Sequence, residues 1–406
     1  MWHLLLIDNS PIPMQNPNLK RHHFYYFFLF LTTFQLVNIA IWSYYPILLY
    51  KQLRSIDAIV QDNIFLYSGI IIGFLFFSFI LDRFGYAKIS RVSFILLSLT
   101  SFVIFLFIGN IAEYYRIFAL LIGIGHGSYW TIFHSFTLTK FDKKGRSKLM
   151  NEVYGWMLII SVVAPILSGY ALTATGRYDL LFLSASAIYL FAAILPRDLG
   201  SESRTKFRGS EITAILKEKV FDKYFFTMFY HTSTGSVMDA MFKVIPFIML
   251  GTELKVGALF SVVAVMTGVF SILSRNWNEK RKRLVALDSF ILHGGTNLAL
   301  AISWTTPFLI LRQITQSIAQ GFAIPVFDSI DYSIREDLTK GKEESAIEMN
   351  LVSEGIYFIS RLTGLIILLI IFEFSPYTQM ATAQIVIGAL SFHRLLSYLF
   401  GVSLSK

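Results

Sequence analysis

The chain has 406 residues, of which 55 % are apolar and only 15 % charged, with a mean hydropathy of +0.59. A soluble domain carries about 25 % charged residues, so this composition excludes an ordinary soluble enzyme and describes a chain built for lipid. Cysteine is absent, which excludes disulfides and thiolate metal sites. The net charge of +9 raises the question of a nucleic-acid partner, and the positions of the charges answer it.

Residues 1–21 read as a cytoplasmic tail. Their apolar stretch is too brief for a secretory signal, and either Met1 or Met14 serves as the start. A bilayer core about 30 Å thick needs about 20 apolar residues per helix. On that measure twelve spans are predicted, at 24–50, 63–81, 90–109, 113–138, 150–174, 178–195, 221–250, 256–276, 284–303, 306–331, 346–372 and 378–401. The longest internal polar stretch, Arg197 to Lys219, divides them six and six. With the N-terminus placed in the cytoplasm, the inside segments and adjoining helix ends hold 26 of the 35 Lys and Arg, and the outside ones five. That asymmetry is the positive-inside pattern. The basic balance therefore reports topology, and no nucleic-acid partner is predicted.

The expected architecture is an all-α membrane protein of twelve transmembrane helices in two pseudo-symmetric six-helix bundles. The bundles cover 22–195 and 221–406, joined by a central cytoplasmic loop at 196–220, with both termini in the cytoplasm. The location expected is the cell inner membrane, crossed many times, by a monomer. Internal spacing supports a duplication. Arg116 and Arg312 lie 196 residues apart, as do Gly125 and Gly321, and Pro46 and Pro246 each close the first span of their half, 200 apart.

Ionisable groups in hydrocarbon cost about 2.5–3.5 kcal/mol on insertion scales and face a cavity or a partner. Polar residues at helical spacing therefore outline candidate sites. Span 1 carries Gln35, Asn38 and Trp42. Span 4 carries His126, Trp130 and His134 at four-residue steps, a stripe suited to proton relay; with no carboxylate or Cys within two turns, no metal site is assigned. Span 7 places Thr232, Ser236, Asp239 and Lys243 on one face, bordered by His231 and Gly235. Asp239 and Lys243, one turn apart, are placed to pair. Span 10 carries Arg312, Gln316 and Gln320, and span 11 carries Asn350, Glu354, Tyr357 and Arg361.

The substrate-cavity set is thus Gln35, Asn38, His126, Trp130, His231, Ser236, Lys243, Arg312, Gln316 and Gln320, amide and aromatic groups suited to an organic solute. Proton coupling is expected at Asp239, with Glu354 and Arg361. Lys243 and Arg361 point to an anionic or zwitterionic solute. No cofactor is expected, and the partners are that solute, protons and membrane lipid. For any single Asn or Gln, interhelical hydrogen bonding is an equal reading, and a buried ion pair that only fixes packing is the alternative for span 7.

Between spans 2 and 3 the sequence reads Ser78-Phe-Ile-Leu-Asp82-Arg83-Phe84-Gly85-Tyr86-Ala87-Lys88. This resembles the signature loop of the major facilitator superfamily, Asp-Arg-x-Gly preceded by glycine and followed by basic residues. Ser78 stands in the glycine position, and Lys88 is the first base after Gly85. The resemblance implies a twelve-helix carrier whose helices 1, 4, 7 and 10 line a central cavity. It also implies that Asp82, Arg83, Gly85 and Lys88 latch one conformation. Ala164-Pro165-Ile-Leu-Ser168-Gly169 is similar to the Gly-Pro-x-x-Gly-Gly core of the family's antiporter motif, which leans toward export over uptake by symport. The function implied is secondary active transport of a small organic solute by alternating access, coupled to protons, with no enzymatic role. Two other classes stay open: a carrier-shaped receptor that does not transport, and an intramembrane lipid-modifying enzyme. The chain carries no paired acidic motif or phosphate loop for the latter.

Overall fold

The computed structural model describes residues 21–140, 143–194, 209–274, 277, 279–339 and 345–404. Every regular element among them is helical. Inside a bilayer no water is at hand to satisfy backbone N–H and C=O groups, so a spanning segment must satisfy its own, and the helix does so. Ten helices among the described residues are long and apolar enough to cross a membrane, and Tyr178–Ile194 is a shorter apolar one. The chain is a multi-pass membrane protein. Its surface is correspondingly apolar: Phe79, Leu167, Phe191, Phe226 and Ile272 stand exposed, while Asn63, Ser93, Ser128, Asn297 and Ser317 are buried. A soluble protein would not leave so broad an apolar face in water.

Helix α1 (Arg21–Trp42) is followed after a short turn by α2 (Tyr45–Leu53), with Pro46 in the first turn of α2. The same break recurs in the second half between α8 (Phe221–Phe242) and α9 (Ile245–Leu250), with Pro246 in the matching place. Proline lacks the N–H that a continuing helix needs and fits best in the first turn of a new helix. Both short helices end in the left-handed conformation, at Arg54 (φ 51°) and Gly251 (φ 80°). The two prolines that close the first span of each half thus mark equivalent breaks.

Helix α3 (Ile56–Leu106) runs through both predicted spans 2 and 3, interrupted at Gly85 (φ 72°, ψ 166°). That backbone region is open essentially to glycine alone. The start lies seven residues earlier than the sequence suggested. Ser55 caps it by accepting from the Ala58 N–H at 3.2 Å, and Asp57 in the first turn suits the positive end of the helix dipole. Asp62 lies just before the predicted span and Asn63 is its first residue, yet both are buried well inside the helix, with Asn63 bonded to Lys243 of the other half.

Helix α4 (Ile111–Lys140) packs on α3 through four glycines. Gly69 and Gly73 face Gly123 and Gly127, and a Cβ on Gly123 would come within 2.8 Å of the Gly69 Cα. This is small-residue packing, in which the absence of side chains lets two backbones meet. The first half is completed by α5 (Lys143–Thr175) and α6 (Tyr178–Ile194). A short α7 (Gly209–Leu216) precedes α8. Beyond α9 come α10 (Glu253–Ser274), α11 (Glu279–Ile302), α12 (Thr306–Thr339) and α13 (Ala346–Phe374). The last predicted span is split into α14 (Gln379–Ala389) and α15 (His393–Leu404).

The two halves are tied together at one end, where the connections near residues 54, 176, 251 and 376 lie. Lys51 bonds Glu253, and Tyr178 donates to the same carboxylate at 2.7 Å. Tyr44 donates to the Glu253 carbonyl at 3.5 Å, the Leu254 N–H to Thr173 Oγ1 at 3.0 Å, and Gln379 to Asp57 at 2.7 Å. Gly169 and Gly257 let α5 and α10 approach, since a Cβ at either would meet the partner backbone.

Candidate functional site

A polar cavity of about 270 Å³ opens between α3, α8, α12 and α13. Helix α8 supplies most of one wall: His231, Thr232, Gly235, Ser236 and Asp239 all line it. Steps of three and four residues keep that stripe on one face. A side chain at Gly235 would meet nothing within 4 Å, so this glycine leaves room for an occupant and is not needed for close packing.

Lys243 leaves the stripe. Helix α8 ends at Phe242, one residue before it, and the turn toward Pro246 swings its side chain across to α3. There Lys243 Nζ donates to Asn63 Oδ1 at 2.5 Å. The pairing with Asp239 expected from the four-residue spacing is therefore not made, because the chain turns where only a continuous helix would keep the two residues on one face. Asp239 is exposed into the cavity and has no ion-pair partner among the described residues. Its charge acts instead on Arg312 and Arg394.

The opposite wall is Tyr357 and Arg361 of α13, Asp331 of α12 and Tyr67 of α3. The Arg361 guanidinium lies 4.8 Å from the Tyr67 ring centroid and 5.6 Å from that of Tyr357. Aromatic faces attract a cation without neutralising it, so Arg361 keeps its charge available to the cavity. Asp331 is paired with Arg335 at 2.8 Å, and Arg335 donates to Tyr357 Oη at 2.5 Å and to Asn350 at 3.5 Å. Glu354, one turn from Asn350, meets His134 of α4 at 3.7 Å and feels both Arg361 and Arg335. Glu354 and Arg361 thus share a field without touching, as their two-turn spacing predicts.

The remaining predicted residues lie elsewhere. Gln35 is buried and donates to Tyr129 Oη at 3.4 Å, and Asn38 is half-buried on the same helix. His126 is buried edge-on against Phe34 (4.9 Å) and Trp42 (5.7 Å). Trp130 stacks on His134 at 5.5 Å. Arg312, only 3 % exposed, lies over the Phe242 ring at 3.5 Å. It donates to Asn297 and Gln313 at 3.0 Å each and to Gln316. Three amide oxygens hold its Nε and Nη1, which makes it part of the packing of α11 on α12. Gln320 is half-buried. None of these seven side chains lines the cavity.

At the predicted latch, Gly85 makes the turn. Arg83 is exposed and lies 5.6 Å from the Phe84 ring, and Lys88 is exposed. The Asp82 side chain lies outside the described residues, as do those of 138–155. Tyr67, Asp331, Arg335, Asp62 and Asn63 were not singled out from the sequence. The charged ones sit near predicted span ends, where charge reads as loop; their burial depends on what packs opposite. Among the described residues, no three His, Asp or Glu come together as a ligand set.

A helical chain that crosses the membrane many times and encloses a polar cavity lined from both halves defines a class, the polytopic membrane proteins with an internal polar site. The model of the Major Facilitator Superfamily matches residues 24–335, and the chain belongs to that family. Solved structures carry the same fold. The nucleoside transporter NupG, as its D323A mutant, superposes with a TM-score of 0.69 at 11 % identity, over 95 % of this chain and 100 % of that one. The human organic anion transporter MFSD10 (TETRAN) does so with a TM-score of 0.64 at 12 % identity, over 95 % and 100 %. Among curated proteins, none matches this chain in sequence.

Proposed function

We propose that this protein is a secondary active transporter. It would carry a small organic solute across the cell inner membrane by alternating access, with protons as the coupling ion. The observation that carries this reading is the cavity of about 270 Å³, walled by Tyr67 from the first half and by α8, α12 and α13 from the second. Fold by itself does not establish function, but a cavity walled by both halves changes shape when the halves rock, as alternating access needs. Twelve spans in two six-helix bundles, 22–195 and 221–406, with 196–220 and both termini in the cytoplasm, fit this reading. The tied end then faces outward.

The charges inside suit a solute with an anionic group for Arg361 and a donor or cationic group for Asp239. The volume lies at the small end of ligand cavities, which run about 300–1,000 Å³. Nucleoside and organic-anion carriers share the fold, and small zwitterions, nucleosides and organic acids are the solutes to try first. Coupling is assigned to Asp239 and Glu354, carboxylates whose proton affinity depends on the surrounding charges. Asp82, Arg83, Gly85 and Lys88 are proposed as the conformational latch.

The test is a metabolite uptake and efflux screen in proteoliposomes under an imposed pH gradient. Accumulation against a gradient for at least one solute, lost in Asp239→Asn but not in its folding or expression, is the expected result. Unchanged uphill transport in Asp239→Asn removes Asp239 from the mechanism. Export by antiport is the second reading, favoured by the close packing of Pro165 to Gly169 on α10; inside-out vesicles decide the direction.

A further inference from the structure

The last span is broken without a proline. Helix α14 ends at Ala389 and α15 begins at His393, so the break falls halfway along an apolar span that runs from Gln379 to Phe400. The breaks after α1 and α8 are each followed by a proline, whereas none lies between Gln379 and Phe400. Irregular backbone at that depth persists only where protein covers it or a polar space receives it. Helix α11 covers this one. A Cβ on Gly294 would meet the Phe392 ring, and Asn297 donates through Nδ2 to the Ser391 carbonyl at 3.3 Å. The His393 ring closes the other side, with its Nδ1 2.8 Å from the Leu390 carbonyl.

Positive and donating groups gather around Asn297. His293 sits one turn away on the same face of α11. It is 1 % exposed, yet neither ring nitrogen makes a hydrogen bond. Arg312 of α12 gives Nε to Asn297 at 3.0 Å and Nη1 to Gln313 and Gln316, which leaves Nη2 without a partner among the described residues. Arg394 stands in the first turn of α15, three residues past Ser391, and makes no hydrogen bond or ion pair among them either. A cation there is at the wrong end of the helix dipole, whose N-terminal end is itself positive. Asp239 is the carboxylate whose charge reaches both guanidinium groups, and it faces the solute cavity. No carboxylate bonds either of them among the described residues, so the break carries a surplus of positive charge inside the membrane.

We propose that this break is a binding site for a small monovalent anion of the halide class, held by Arg312, Arg394 and His293 at the positive end of α15. The site goes beyond the transport reading, and none of its residues lines the solute cavity. What it presents is donors: Arg312 Nη2, the Arg394 guanidinium and one N–H of a neutral imidazole. An ion that only accepts satisfies such groups and offsets the surplus charge. Half-helix N-termini inside membrane proteins meet anions for the same reason. Charge and burial choose the class. His293 and Arg312 are at most 3 % exposed, and stripping water from a divalent anion costs far more than stripping it from a halide. The bound ion ties α15 to α11 and α12, which makes the folded protein more stable with it than without.

The test uses the full chain in detergent, with chloride exchanged for gluconate at constant ionic strength. Chloride should raise the midpoint of thermal unfolding and saturate, as a ligand of the folded state must, and bromide should act alike. Arg394→Gln should raise the half-saturating chloride concentration about tenfold or more, the loss of one hydrogen bond to a charge. His293→Leu should do the same. It serves where Arg394→Gln does not fold, because a side chain without hydrogen bonds leaves no partner unsatisfied when it is removed. Broadening of the chlorine nuclear magnetic resonance line by the parent, lost in these variants, reports the ion itself. Arg361→Gln, in the solute cavity, should keep the parent's halide response. A midpoint equal in chloride and gluconate overturns the proposal, as does one that climbs without saturating. So does the parent's half-saturation in folded Arg394→Gln or His293→Leu, or loss of the response in Arg361→Gln alone. Transport plays no part in these readouts, and the solute screen is judged apart from them.

Discussion

Asp239 and Arg361 face each other across a small polar volume, and neither has an ion-pair partner among the described residues. Arg361→Ala removes a guanidinium held by two aromatic faces. For an anionic or zwitterionic solute it should raise the apparent KM at least tenfold, about 1.4 kcal/mol, with little change in the amount of folded protein. An unchanged KM would take the guanidinium out of the binding site. Gly235 allows a sharper residue test, because an added methyl touches nothing. Gly235→Ala should leave thermal stability within about 0.5 kcal/mol while altering solute affinity, and Gly235→Leu should block the cavity. A stability loss in Gly235→Ala larger than its effect on affinity would mean that the glycine serves packing. At this scale the α8 stripe was legible from spacing alone. The direction of Lys243 was not, since it depends on a turn whose geometry Pro246 requires but does not specify.

Elements meet through positions that carry no side chain. Gly69 and Gly73 against Gly123 and Gly127 fix the approach of α3 to α4, so Gly123→Leu inserts bulk where backbone atoms already touch. Overpacking of this kind costs about 1–3 kcal/mol, and a clear fall in the midpoint of thermal unfolding in detergent is expected. Stability equal to the parent would refute the packing. Gly85→Ala puts a side chain where φ is 72° and ψ 166°, at a strain of about 1–3 kcal/mol; it should lower folded yield before it affects solute affinity. The helix breaks at Pro46 and Pro246 could be read from the prolines. The glycine faces could not, because a glycine in an apolar run looks the same whether it faces lipid or another helix. The start of α3 was missed for a related reason. Asp57 and Asp62 resemble a loop until the second half of the chain is seen to cover them.

Across the whole molecule, the halves are joined at one end by Lys51 with Glu253, by Gln379 with Asp57, and by Leu254 on Thr173. If that end must open during the cycle, locking it stops transport. Thr173→Cys with Leu254→Cys, joined by a short bifunctional reagent, should abolish uphill accumulation, and a reducible reagent should restore it on cleavage. Full transport by the cross-linked protein would show that this end does not move. Glu253→Gln removes the carboxylate shared by Lys51 and Tyr178 and should shift the resting population toward the open form, read as a longer distance between spin labels at Ala174→Cys and Lys255→Cys, both exposed positions.

Lipid selects for apolar runs long enough to cross it, and a run of that kind is visible in one dimension. The helical class, the approximate spans, the two matching proline breaks and the turn at Gly85 are therefore written in the sequence. Which polar residue meets which is a matter of two distant segments sharing a face, and no local pattern contains it. Only the tertiary structure separated Asp239 from Lys243, set Arg361 between Tyr67 and Tyr357, withdrew Arg312 into an amide cage, and brought Asp62 from near a predicted helix end into the contact between the halves. Burial of a charge is decided by what covers it, and the cover comes from the far end of the chain.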